Sequence, residues 1–288
     1  MSVLRRVMVL CAGAALLAAG CTAPAQSGMD DMPGMPGMPG VTTVAAPAEA
    51  APAGDGLTDA VGGYRLVLDS ATVPPAPGNV LSFRVTGPDG RAVTRYQPDD
   101  GALVQFDLIR ADLTNYQHLD PVMRQDGTWV VTLPALPSGA YRAYTTFAAP
   151  NAAAGTPRLY RLSQPFTVTG QAAGTALPAP ATTTEVGGYA VTLSGQPVAG
   201  QPSVLRVSIS SGGQPVGYLQ RYLDGYAHLT AFRAGDLAAA RLSPAERATA
   251  RAELTSQTWF PGPGTWRVIV GFRTNGPVVT AAFTITVP

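Results

Sequence analysis

Residues 59–288 read as all-β, arranged as two tandem sandwiches. Three observations point there: a two-residue hydrophobic period, closely spaced turn signals, and an internal duplication. The alternation shows in Tyr64-Arg65-Leu66-Val67-Leu68, in Leu81-Ser82-Phe83-Arg84-Val85 and in Thr128-Trp129-Val130-Val131-Thr132-Leu133. Such runs put apolar residues on one face of a pleated strand. Pro88-Asp89-Gly90 and Asp126-Gly127 supply the turns between them.

The duplication pairs Val61-Gly62-Gly63-Tyr64 with Val186-Gly187-Gly188-Tyr189, and Phe83-Arg84-Val85 with Leu205-Arg206-Val207. It continues through Ser138-Gly139-Ala140-Tyr141-Arg142 against Pro263-Gly264-Thr265-Trp266-Arg267, and Phe166-Thr167-Val168 against Phe283-Thr284-Ile285. Two copies of roughly 100–115 residues each suit two ordinary domains and are too few for a solenoid. Short strands with frequent turns suggest an immunoglobulin-like sandwich, here without an inter-sheet disulfide.

The segments follow in order. Residues 1–20 carry Arg5 and Arg6, then an apolar run from Val7 to Ala19, too short to span a bilayer. That is an export signal. Residues 21–58 are rich in Ala, Pro, Gly and Met and have too little bulky apolar surface to fold, so they form a tether. Residues 59–169 are the first sandwich, 170–184 a linker of the same low-complexity character, and 185–288 the second sandwich. The picture is two beads on a string. Ser243-Pro244-Ala245-Glu246 combines an N-cap, a proline at N1 and an acid at N3, which predicts a short helix to about Glu253.

Composition narrows the partners. The net charge is +1 and charged residues make up 13%, against about 25% in a typical globular chain. No basic stripe for nucleic acid is present. No Gly-rich phosphate loop, Gly-x-Ser-x-Gly elbow or His-Glu-x-x-His motif is present, and Asp99-Asp100 looks like a solvated turn. The expectation is that the chain is not an enzyme.

Three groups of residues offer metal chemistry. Met29, Met32, Met35 and Met38 recur at every third position within Met-Pro-Gly repeats. Thioethers are soft ligands that favour Cu(I) and survive oxidising surroundings. In a polyproline II helix this period aligns them on one side but roughly 9 Å apart, so sharing an ion requires the Pro-Gly steps to turn. A plain spacer explains the same repeat. His118 and Asp120 lie two apart on an extended segment and share a face. Two ligands alone make a weak site. His228 is the other histidine, at a position of the repeat not equivalent to that of His118. Surface or satisfied core histidines are the plain alternative for both. Copper is the cofactor these residues suggest.

Two resemblances add to this reading. Leu17-Ala18-Ala19-Gly20-Cys21 resembles the lipobox of bacterial lipoproteins, which implies a diacylglycerol on Cys21 and a lipid-anchored chain at the extracytoplasmic face of the cell membrane. Cys11 would leave with the signal, and the mature chain would keep no free thiol. Asp112 to Pro121, with Asp126-Gly127-Thr128-Trp129, is similar to a family of exported bacterial β-sandwich proteins with a His-x-His-Pro motif, often associated with copper or other heavy metals. Tyr222 to Leu229 and Arg233 to Leu237 resemble that family's second repeat. The motif is degenerate here: Asp120 stands at its second histidine, Gln105 at an upstream histidine, and Arg241-Leu242-Ser243-Pro244 at the matching segment of the second repeat. The resemblance implies an accessory role in metal handling. The rival expectation is an envelope module whose strands or inter-domain cleft bind an unidentified protein or polymer, without metal.

Overall fold

The computed structural model describes residues 54–99, 102–150, 157–223, 225–243, 245–247 and 253–288. Cys21 and the four tether methionines lie outside the described residues. The described chain is all-β, built as four sheets in two facing pairs. No helix among the described residues is long and apolar enough to cross a membrane.

Sheet I runs in the order β1 (Ala60–Val61), β2 (Tyr64–Leu68), β4 (Val80–Thr86), β8 (Trp129–Thr132) and β7 (Val122–Met123). Sheet II runs β3 (Thr72–Val73), β10 (Pro157–Val168), β9 (Gly139–Pro150), β5 (Gln105–Arg110) and β6 (Gln117–Leu119). Only β3 pairs in parallel within it. The alternate apolar residues seen in the sequence meet between these sheets. Leu66, Leu81, Phe83, Val85 and Trp129 face Phe106, Leu108, Tyr141, Phe147 and Leu162 in one core. Phe83 stacks on Phe106 at 4.5 Å.

Sheet III runs β11 (Thr183–Val186), β12 (Tyr189–Ser194), β13 (Pro202–Ser211), β18 (Glu253–Trp259) and β16 (Arg241–Leu242), with β14 (Gln214–Pro215) on β13 and β17 (Glu246–Arg247) on β18. Sheet IV runs β15 (Ala227–Arg233), β19 (Gly264–Phe272) and β20 (Val279–Val287). Val191, Leu193, Val207 and Leu254 meet Leu229, Trp266, Val268 and Phe283 between them.

The Ser243–Glu253 helix expectation is corrected over its described part. Glu246–Arg247 pairs with Thr255 and Leu254 of β18. Ser243 Oγ, the expected cap, accepts instead from the Gln257 backbone N–H at 2.9 Å. A capping box is a local signal, and pairing with a long neighbouring strand outweighs it.

The sequence suggests beads on a string, yet the outer faces of sheets II and IV pack on each other, and Ala45–Pro288 forms one compact unit. Ile109, Leu113 and Tyr144 from sheet II and its following turn meet Phe232, Leu237, Ala239 and Ile269 in a third buried cluster. The Tyr144 hydroxyl donates to the Leu237 carbonyl, Arg161 Nη1 donates to Ala240 O at 2.7 Å, and Ala239 N–H donates to Asp55 O at 2.8 Å.

The same short motif makes the contact from both sides. After β5, Arg110-Ala111-Asp112-Leu113 turns on an Arg110–Asp112 ion pair, and after β15, Arg233-Ala234-Gly235-Asp236-Leu237 turns on Arg233–Asp236. Each turn holds its leucine at positive φ, 62° at Leu113 and 64° at Leu237. A non-glycine residue there costs about 1–2 kcal/mol. Burial of both leucines in the shared cluster offsets it.

Candidate metal centre

Strand register places the site. In antiparallel pairing, directly opposed residues share a face. Asp107 of β5 lies opposite His118 of β6 and Tyr144 of β9, so all three project from the outer face of sheet II. His228 of β15 lies opposite Gly271 of β19, which pairs with Thr280 of β20, on the outer face of sheet IV. Packing these two faces together brings Asp107, His118 and His228 into one group, with a ligand atom of each within 4.8 Å of the others.

Hydrogen bonds hold the first two. His118 Nδ1 lies 2.9 Å from Asp107 Oδ1, and the Tyr116 hydroxyl donates to the same oxygen at 2.7 Å. The His118 and His228 rings stand 5.3 Å apart between centroids, and Tyr222 meets His228 edge-on at 6.5 Å. His228 Nε2 is buried with no hydrogen-bond partner. A buried polar atom left unpaired costs about 1–3 kcal/mol, which a bound ligand would recover.

The electrostatics separate the two imidazoles. Burial would raise the Asp107 carboxyl, but the hydrogen bond and charge of His118, the charge of His228 and the Tyr116 hydroxyl bring it below the usual carboxylate value. Burial would lower His118, but its bond to Asp107 outweighs that and raises it. His228 has no carboxylate bonded to it, and burial pushes it down to about 4, aided by the charges of His118 and Arg161. Burial also lifts the Tyr116 hydroxyl well above its ordinary range. At neutral pH His228 is therefore a neutral imidazole, the form that binds metal. Two imidazoles and a carboxylate could coordinate a metal ion, and three protein ligands are what open zinc-type sites use.

A cleft of about 610 Å³ opens over the group, lined by Tyr116, His118, Asp120, Tyr222, His228 and Arg273 among others. Asp120 is exposed on its rim and outside the three-residue group, though its charge reaches His118. The carboxylate at His118 is Asp107, which sequence reasoning missed. The available signal was an acid flanked directly by Phe106 and Leu108. The hydroxyl-bearing residues lining the cleft are Thr280, Tyr116 and Tyr222.

Among known proteins, one family model matches part of the chain. Residues 184–288 match the model described as Domain of unknown function (DUF8832). No curated protein matches. Among solved structures, a DUF4426 family protein of Pseudomonas aeruginosa is similar at 14% identity and TM-score 0.28, over 36% of this chain and 92% of that one. The Escherichia coli adhesin FdeC is similar at 14% identity and TM-score 0.25, over 78% of this chain and 64% of that one. The Yersinia pseudotuberculosis adhesin InvE is similar at 14% identity and TM-score 0.23, over 77% and 58%. The chain thus spans less than two thirds of either adhesin structure.

Proposed function

We propose that this chain is a non-enzymatic lipoprotein, anchored through Cys21 at the extracytoplasmic face of the membrane, that binds a metal ion between two immunoglobulin-like sandwiches. The observation that carries the metal reading is the convergence of Asp107, His118 and His228 from two sheets, with His228 Nε2 buried and unpaired. Imidazole and carboxylate suit Cu(II) or Zn(II), whereas the thioethers of Met29, Met32, Met35 and Met38 suit Cu(I). The role is accessory metal handling, with copper the metal the sequence favours.

Titrating the full chain in detergent with Cu(I), Cu(II) and Zn(II) against competing chelators tests it. The divalent ions should bind one per chain, and His228→Ala should weaken that binding at least tenfold. Changing the four tether methionines to Ala should leave it unaltered and affect Cu(I) alone. Divalent binding weaker than micromolar in the wild type, or indifferent to His228→Ala, would overturn the metal reading. For the anchor, Cys21→Ala should move the chain from the membrane to the soluble fraction.

One observation favours the rival reading, an envelope interaction module without metal. Edge strand β7 leaves Val122 70% exposed, and Val80 of β4 in the same sheet is 55% exposed. An apolar, unpaired edge is where another chain can add a strand. Recovery of one envelope protein, equal with and without chelator and lost on Val122→Lys, would support that reading.

A further inference from the structure

Three protein ligands leave a coordination position open, and the cleft is the side on which it opens, since His118 and His228 both line it. Charge decides what enters. A divalent ion carries +2, Asp107 returns −1, and Asp120 on the rim offsets Arg273, so the floor keeps a net positive charge. Arg161, buried within reach of the Asp107 charge and hydrogen-bonded among the described residues to Thr146 Oγ1 and Ala240 O, adds another. Asp120 and Arg273 are exposed at the mouth of the cleft, and an incoming anion would offset the positive charge left inside it.

The geometry of the cleft narrows the anion. His228, Gly271 and Thr280 are opposed in register, and Arg273 lies two residues beyond Gly271 along the same chain. The Arg273 side chain makes no hydrogen bond or ion pair among the described residues, although it lines the cleft. Gly271 keeps the floor low: a Cβ there would meet the Tyr222 ring at 3.2 Å. Tyr116, Tyr222, Ile269 and Val278 form walls that suit an organic body better than a bare hydroxide. About 610 Å³ is the size of a small-molecule site.

We infer that the centre binds its metal as a ternary complex with a small organic carboxylate, one end of which completes the metal's coordination while Arg273 holds the anion in the cleft. This rests on the metal site proposed above. Guanidinium–carboxylate pairing is the strong, oriented form of such a contact. The protein would then take up the metal already carrying a carboxylate ligand, or bind the two in succession.

The test uses the full chain in detergent with Zn(II) as a redox-silent metal and benzoate as the probe carboxylate, followed by calorimetry. Benzoate should bind the Zn(II)-loaded chain at least about tenfold more tightly than the metal-free chain. Arg273→Gln should weaken benzoate binding by about tenfold, the worth of one charged hydrogen bond, while Zn(II) affinity stays within about twofold. Benzoate affinity that is equal with and without Zn(II), or unchanged in Arg273→Gln, overturns the ternary complex and leaves the metal site standing. Failure of Zn(II) itself to bind removes the metal reading and this one together. The loaded and metal-free wild type decide the question even where the variant folds poorly.

Discussion

His118 and His228 come from different sheet pairs and stand with ring centroids 5.3 Å apart at 49°. Their surroundings drive their protonation in opposite directions, because only His118 is bonded to Asp107.

The histidines should therefore titrate separately. By NMR, His228 should show its midpoint at about 4, and His118 should titrate above its ordinary value of 6.5. As pH falls from about 6.5 to 4, the unfolded chain takes up the His228 proton before the folded one, so that residue removes stability across the window. His118 acts oppositely: its stabilisation is complete below 6.5 and is lost as pH rises through its raised folded value. Coincident midpoints for the two would contradict the described hydrogen bonding.

The union of the sandwiches rests on few side chains. Tyr144→Phe leaves the Leu237 carbonyl unpaired in a buried contact and should destabilise the chain by about 1–3 kcal/mol. Phe232→Ala empties the space against Tyr144, whose ring lies 4.9 Å away, and should cost about 3–5 kcal/mol. Urea unfolding of the wild type should show one transition, and Phe232→Ala should divide it into two as the halves separate. Wild-type unfolding in two well-spaced steps would show that the shared cluster contributes little.

Asp112 ties the linker to this contact. Burial opposes its charge, but Arg110, Thr114 and the backbone N–H of Thr175 hold its carboxyl far below the ordinary value. The resulting stability is present above the unfolded carboxylate pKa of roughly 3.9 and is lost as pH falls through the folded value. Asp112→Asn should thus be less stable than wild type at pH 7, with the gap closing at strongly acid pH. A gap that widens on acidification would contradict it.

The all-β pattern was legible because one face of nearly every long strand meets a core, so apolar residues alternate as in Leu81, Phe83 and Val85. The second burial was not. Asp107, Ile109 and Tyr144 occupy what sequence alone presents as a solvent face, yet all three are buried, Ile109 and Tyr144 against Phe232, Leu237 and Ile269 of the second half. The repeated turns at Leu113 and Leu237 were visible as similar strings, but nothing local says that they face each other. For the same reason His118 pointed to nearby Asp120, whereas its partners are Asp107 across the β5–β6 register and His228 from the second half. Ligands assembled by tertiary closure leave no spacing to read.

On the reading proposed above, a divalent ion sits on Asp107, His118 and His228. X-ray absorption on the Cu(II)-loaded chain, with a parallel His228→Ala sample, reads the ligands themselves. The wild type should show two imidazoles and oxygen with no sulfur, and the variant one imidazole. A sulfur shell, or an imidazole count unchanged by His228→Ala, would place the metal elsewhere and contradict it.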